Sequence, residues 1–276
     1  MALMHLNFES MYLQGNTDVN IILPDRERSS SPKDFYGNGK KYKVLWLLHG
    51  TFGDYTDWIR KSNVELYACE KNLIVIMPSG LNADYANWPS FGMGYHMYDY
   101  LTEELMPLVY NWFPASDKKE DNYIAGLSMG GFGTCIYALN HPEKFAAACA
   151  MSGCPIEMTD ENTARNRGMF SHRRANQLAN CGGLEGYLAS EQNTWRIIKE
   201  KVNDPNLPRL YFTCGTKDEL LYESYKRFEK YAHEIGLQAK FEETEGYAHE
   251  WRFWDLSLQK ALDFFDLEEG IKGNQF

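Results

Sequence analysis

Unbroken apolar runs alternate with stretches whose apolar residues recur at helical spacing. Val44–Leu48 (VLWLL), Leu73–Met77 (LIVIM) and Phe145–Met151 (FAAACAM) carry no polar side chain. A strand covered on both faces has this composition, because neither face meets water. Asn122–Ala125, Pro208–Cys214 and Gln238–Thr244 read as further strands. Residues 6–13 and 18–23 alternate instead, with Gly15-Asn16 as a turn signal and Pro24 as a stop. That pattern predicts an antiparallel edge hairpin. Helices are expected over Thr56–Lys71, Met97–Trp112 with a kink at Pro107, the stretch after Ser128, and Ser257–Phe265. Residues 25–41 and 79–95 read as loops. Strands alternating with helices predict an α/β fold, a mostly parallel sheet with helices on both faces. With no linker or repeat, residues 1–276 read as one domain. Residues 155–205 break the alternation, with few apolar positions, seven acidic and seven basic side chains. They read as a helical cap or lid over the C-terminal ends of the strands, or as a long helical connection without a role.

The apolar run Tyr123–Leu127 climbs to Ser128, which has glycines at minus two and plus two, and a helical segment follows. G-x-S-x-G between strand and helix is the nucleophile-elbow pattern. Side chains at Gly126 and Gly130 would collide where strand and helix close on each other. A serine hydroxyl is a weak nucleophile until a base takes its proton, so a base and an orienting acid are required. In α/β-hydrolases they follow in the order serine, acid, histidine, each on a loop after a sheet strand. Asp218, with Glu219 as its rival, follows the strand ending at Cys214, and His249 follows the strand ending at Thr244. Among the other histidines, His96 in the long aromatic loop is the substitute to beat. Oxyanion donors are expected from the backbone N–H of Met129 and of Thr51, with Phe52 second. His49 reads as a brace for that loop.

The net charge of −10 speaks against nucleic acid and anionic membranes as partners. No apolar run is long enough to span a bilayer. The six cysteines form no C-x-x-C pair, so no metal site is expected. Their place inside apolar runs favours a reducing compartment. The first residues have neither a basic start nor a long apolar core, so a cytoplasmic location is expected. A chain already relieved of a secretion signal would read the same.

Leu47-Leu48-His49-Gly50, Gly126-Leu127-Ser128-Met129-Gly130-Gly131 and Gly246-Tyr247-Ala248-His249-Glu250-Trp251 together resemble the esterase D / tributyrin esterase family. That family includes S-formylglutathione hydrolases, and feruloyl esterases and mycolyltransferase antigens look related to it. Asp18–Pro24 and Glu103-Glu104-Leu105 are similar to it too. The resemblance implies an α/β-hydrolase fold and a cofactor-free serine carboxylesterase. It also implies a triad of Ser128, Asp218 and His249, with backbone donors at Met129 and just after Gly50. The insertion matches least, and that segment is expected to choose the substrate. Short-chain acyl esters are the expected substrates. Hydroxycinnamoyl (feruloyl) or acetyl esters of plant polysaccharide are the alternative, and acyl transfer to another acceptor is a third reading. Phe52, Tyr85, Trp88, Phe91, Tyr95 and Trp251 are candidates to wall an acyl pocket, the alternative being core packing. Arg165, Arg167, Arg173 and Arg174 read as a solvated face paired with acids, or as a site for an acidic group. The partner expected is a small-molecule or saccharide-linked ester, with homo-oligomerisation left open.

Overall fold

The computed structural model describes residues 2–24, 26, 30–158 and 171–268. Its ten strands are β1 (Ala2–Ser10), β2 (Gly15–Leu23), β3 (Val44–Leu48), β4 (Ile74–Pro78), β5 (Asn87–Trp88), β6 (Tyr95–His96), β7 (Asn122–Leu127), β8 (Ala147–Met151), β9 (Arg209–Gly215) and β10 (Ala239–Thr244). Eight form one sheet in the order β1-β2-β4-β3-β7-β8-β9-β10, and β5 and β6 pair separately. β1 and β2 form the expected antiparallel hairpin at one edge, and β2 meets β4 antiparallel. From β4 to β10 the pairing is parallel. With helices on both faces and a helical insertion, this is the α/β-hydrolase fold.

The apolar runs are explained by two cores, one on each face. In β3, Val44, Trp46 and Leu48 face one core, while Leu45 and Leu47 face the other. Side chains alternate across a strand, so a strand between two cores has no position left for a polar residue. The indole N–H of Trp46 is satisfied by Asn122 Oδ1 at 3.0 Å. The helix Trp251–Phe264 lays Phe253, Trp254, Leu258, Ala261 and Leu262 on the second core, a periodicity of three and four.

The structure departs from the sequence reading in the first strand, which starts at Ala2, in the closing helix, which starts at Trp251, in the short helix Pro32–Phe35 within an expected loop, and at three places with a local cause. The hairpin turns at residues 11–14, not at Gly15-Asn16, which open β2. Gln14 takes the left-handed backbone the turn needs, and Ser10 Oγ accepts from Leu13 N–H at 3.0 Å. The helix expected over 56–71 is split into Asp57–Lys61 and Val64–Glu70. Ser62 Oγ donates to Trp58 O, and Asn63 N–H is drawn away to Asp255 Oδ1 at 2.9 Å. The helix around Pro107 contains a π-helical turn over Tyr100–Leu105, in which Met106 N–H reaches Leu101 O. Proline has no N–H and crowds the carbonyl four residues back, and the widened turn absorbs this. Glu104 lies in that turn and accepts from Ser10 Oγ and Met11 N–H, tying the edge hairpin to the body.

Within the insertion, helices cover Ser171–Asn180, Leu184–Ala189 and Thr194–Lys201. Asn180 Nδ2 donates to Asn87 O at 2.7 Å, fastening the helix Ser171–Asn180 to β5.

Candidate active site

β7 ends in the centre of the sheet, and Ser128 turns the chain from it into the helix Met129–Asn140. The turn is forced: Ser128 has φ 52° and ψ −115°, backbone that costs a non-glycine residue about 1–3 kcal/mol. Its N–H donates to Met151 O at 2.8 Å and its carbonyl accepts from Phe132 N–H at 3.1 Å. A Cβ on Gly126 would stand 2.3 Å from Gly130 O, and one on Gly130 would stand 2.5 Å from Leu48 O. Strand and helix can therefore converge on the serine only with glycine at both positions.

The other two polar groups arrive from the next strands along. Asp218 follows β9 and His249 follows β10, and the two loops are stitched together. Lys217 N–H donates to Tyr247 O at 2.8 Å, and Gly246 N–H to Thr216 Oγ1 at 3.0 Å. His249 Nε2 lies 3.0 Å from Ser128 Oγ, and His249 Nδ1 lies 2.8 Å from Asp218 Oδ2. Asp218 Oδ1 accepts from Leu220 N–H at 3.1 Å and Leu221 N–H at 3.0 Å. Burial works to raise the Asp218 carboxyl. The hydrogen bond and charge of His249, with Ser152 and the Leu221 N–H, outweigh it and hold the carboxyl below its ordinary 3.8. An ionised Asp218 keeps the ring proton on Nδ1 and leaves Nε2 to accept from the serine hydroxyl. Glu219 is exposed, and His96 lies against Asp99.

Two residues of this cluster are not signalled by the motifs. Ser152, fully buried with φ 44°, directly follows β8, and its Oγ accepts from Trp254 Nε1 at 3.2 Å. Trp254 stands edge-on to His249, ring centres 4.9 Å apart. A Ser-Gly pair at the C-terminal end of a parallel strand was the available signal, since sites of open α/β sheets gather there.

The loop after β3 closes the near side. A Cβ on Gly50 would stand 3.4 Å from Ser128 Cβ, so Thr51 begins at the nucleophile's shoulder. Phe52 N–H is committed to Asn82 Oδ1 at 2.8 Å and so is not turned toward the serine as an oxyanion donor. Met129 N–H opens the elbow helix, where unpaired N–H groups and the helix dipole favour negative charge. A hydroxyl, an imidazole and a buried carboxylate in series, beside a helix N-terminus, can move a proton off the hydroxyl and favour negative charge next to it.

Comparison with known proteins points to the same chemistry. The Esterase family model matches residues 10–265. The chain belongs to that esterase family. It is 29% identical over 279 residues to an acetyl esterase of Caldicellulosiruptor saccharolyticus, covering 96% of this chain and 98% of that one. It superposes on FphF, a fluorophosphonate-binding serine hydrolase of Staphylococcus aureus, with TM-score 0.78 at 30% identity, covering 96% and 98% of the two chains. An S-formylglutathione hydrolase, FrmB, of the same organism gives TM-score 0.77 at 30% identity with the same coverage. The chain is a serine esterase acting on carboxylic esters.

A cleft of about 300 Å³ opens beside the loop that follows β3 in the esterase, lined by Thr51, Phe52, Asn82, Asp84, Trp88, Arg173 and Asn176. Of the aromatics considered from sequence, only Phe52 and Trp88 line it. Tyr85 is fully buried, donates to His49 O at 3.0 Å and packs edge-on to Tyr137. Tyr95 is buried too, with Phe91 edge-on to it. Trp251 packs between Trp58 and Trp254 under the Lys61 ammonium. Tyr85, Tyr95 and Trp251 are spent on packing against aromatic or backbone partners, whereas Phe91 is exposed and does not line the cleft. Arg165 and Arg167 lie outside the described residues. Arg173 and Arg174 do not form a solvated face. Arg173 pairs with Asp84, and Arg174 donates to Gln177 Oε1 at 2.6 Å; burial lowers both guanidinium groups, Arg173 to about 10.

Among the described residues no cluster of His, Cys, Asp or Glu is placed to hold a metal, and no helix is long and apolar enough to cross a membrane. The cysteines are free, and burial pushes the Cys135, Cys149, Cys154 and Cys214 thiols up, which keeps them protonated and unreactive.

His49 braces the esterase's loops as a neutral ring. Nδ1–H donates to Gly50 O at 2.7 Å, and Nε2 accepts from Gly80 N–H at 2.8 Å. Burial lowers its pKa from the ordinary 6.5, against the raising effect of the Gly50 carbonyl. A depressed folded pKa means the unfolded chain binds the extra proton first. Stability is therefore full above about pH 6.5 and is lost as the pH falls below it. Melting midpoints measured across pH 5–7 should fall toward acid in the wild type, and more shallowly in His49→Gln. Equal slopes in the two proteins would overturn this role for His49.

Proposed function

We propose that the esterase hydrolyses short-chain acyl esters through an acyl-enzyme on Ser128. The observation that carries this reading is the imidazole of His249 set between Ser128 Oγ and Asp218 Oδ2, at 3.0 Å and 2.8 Å. Ser128 Oγ bonds to the ester carbon as its proton passes to His249 Nε2. The carbonyl oxygen becomes an oxyanion facing the N–H groups of Met129 and Thr51. One such donor is worth about 3–4 kcal/mol of barrier. The imidazolium then protonates the departing alcohol as the carbon–oxygen bond breaks. Water enters, loses its proton to His249, and releases the acid while the serine regains its hydrogen. Asp218 holds the ring and stabilises its charged form without taking the proton.

The short acyl chain is favoured because Tyr85 and Tyr95 belong to the core and leave only Phe52 and Trp88 to face a phenyl group. The acetyl esterase among the relatives supports the same reading. A hydroxycinnamoyl ester remains the second reading, resting on those two rings in the cleft. Turnover of the methyl esters of acetic, butyric and ferulic acid, which share one leaving group, separates them. Acetate and butyrate should exceed ferulate in kcat/KM by about tenfold or more, the discrimination that pocket shape supplies. A ferulate value equal to that of acetate would reverse the assignment.

A further inference from the structure

Arg173 joins the cap to the loop that supplies the second oxyanion donor. It lies on the insertion helix Ser171–Asn180, and among the described residues its guanidinium makes three directed bonds. Nε donates to Asp84 Oδ2 at 2.9 Å, Nη2 donates to Asp84 Oδ1, and Nη1 donates to Thr51 Oγ1 at 2.7 Å. Asp84 is nearly buried and holds left-handed backbone, as does Tyr85 beside it. The loop carrying them is already tied to the loop after β3 at three points: Asn82 on Phe52 N–H, Tyr85 on His49 O, and Gly80 N–H on His49 Nε2. Every one of those ties misses Thr51. Its side chain is held only from the cap side among the bonds described, and by a planar fork whose direction is set by its bidentate grip on Asp84.

We propose that Arg173 is a positioning residue for the esterase reaction: through Thr51 Oγ1 it fixes the peptide whose N–H faces the oxyanion. The inference rests on the acyl-enzyme reading above. Phe52, next in the chain, has φ 64°, so the Thr51–Phe52 segment is held in backbone it would otherwise leave. A donor displaced by a fraction of an ångström loses much of its worth to a transition state while binding the ground-state ester nearly as well. The same geometry removes Arg173 from the anion-binding role weighed from sequence. Its fork is filled by a carboxylate, and the Asp84–Arg173 pair presents the cleft with no net charge.

Thr51→Val tests this without touching the ion pair, since it keeps the backbone N–H and removes only the acceptor. It should lower kcat for p-nitrophenyl acetate by about tenfold with KM within about twofold. Affinity for a boronic acid, whose tetrahedral adduct places an oxygen in the oxyanion position, should weaken by the same factor. Thr51→Ser, which keeps the acceptor, should recover most of the loss. Arg173→Gln, which cuts that bond and also the two to Asp84, should lose at least as much as Thr51→Val, and the double variant should be no worse than Arg173→Gln, because the bond to Thr51 is already gone. Unchanged kcat in Thr51→Val, or additive losses in the double variant, overturns the positioning role while leaving Ser128 as nucleophile. A rise in KM for anionic esters alone in Arg173→Gln would also overturn it, in favour of direct substrate binding. Full labelling of Ser128→Ala by a fluorophosphonate would instead remove the reading on which the proposal stands.

Discussion

Ser128→Ala should lower kcat for p-nitrophenyl acetate by about 10⁵–10⁶-fold, with the fold intact. Without the hydroxyl there is no atom for the acyl group, and His249 Nε2 has nothing to deprotonate at 3.0 Å. What remains is the catalysis that two N–H donors give to attack by water, about 10³–10⁴ over the uncatalysed reaction. The fold should survive because the site is held by the backbone of residue 128, through Met151 O and Phe132 N–H, and not by its side chain. The same turn yields a stability result. At φ 52° and ψ −115° any Cβ is strained, so Ser128→Gly should melt above Ser128→Ala by about 1 kcal/mol, after its cost in chain entropy. Steady-state kinetics and thermal melts on both variants check the pair of statements. Turnover within tenfold of wild type in Ser128→Ala would remove the nucleophile from this position.

The second large effect is expected at Asp218. Asp218→Asn should reduce kcat by about 10⁴-fold with little change in the surrounding structure. Oδ1 is fixed by the N–H groups of Leu220 and Leu221, so the amide of the variant must keep its oxygen there. Its NH₂ then faces His249 Nδ1 and donates to it. The imidazole answers by carrying its proton on Nε2, where it can no longer accept from Ser128. The stability profile should change in parallel. Asp218 has a depressed folded pKa, so it stabilises the fold above the ordinary carboxyl value of 3.8, and that stability is lost as the pH falls through the folded value. The asparagine variant lacks this acid-side loss. Kinetics together with acid unfolding curves decide it; an Asp218→Asn enzyme with wild-type kcat would mean that another acid orients the ring.

The features legible from sequence are those where geometry admits one residue type. Val44–Leu48 announces a strand between two cores because a polar residue has nowhere to point. Gly126 and Gly130 announce the elbow because a Cβ at either would enter a carbonyl. Asp218 and Glu219 differ by one position, and the strand end sends the first inward and the second to solvent. The unread features depend on partners far along the chain. Arg173 and Asp84 are 89 residues apart, and Trp254 and Ser152 are 102 apart. A tyrosine in a loop looks the same whether it lines a pocket or, like Tyr85, fills the core with its hydroxyl satisfied by a carbonyl. The π-helical turn before Pro107 was announced only as a bend, because proline states that the ladder is broken without stating how it is repaired.

β10, from which His249 hangs, is the last strand of the sheet and has a single neighbour. Lys240, Glu242 and Glu243 line it with charge, which discourages a second molecule from adding a strand there. Border strands are also where a sheet first comes apart. The esterase thus keeps its nucleophile in the best-supported part of the molecule and its base at the margin. Activity should therefore fall on warming before the circular dichroism of the sheet does.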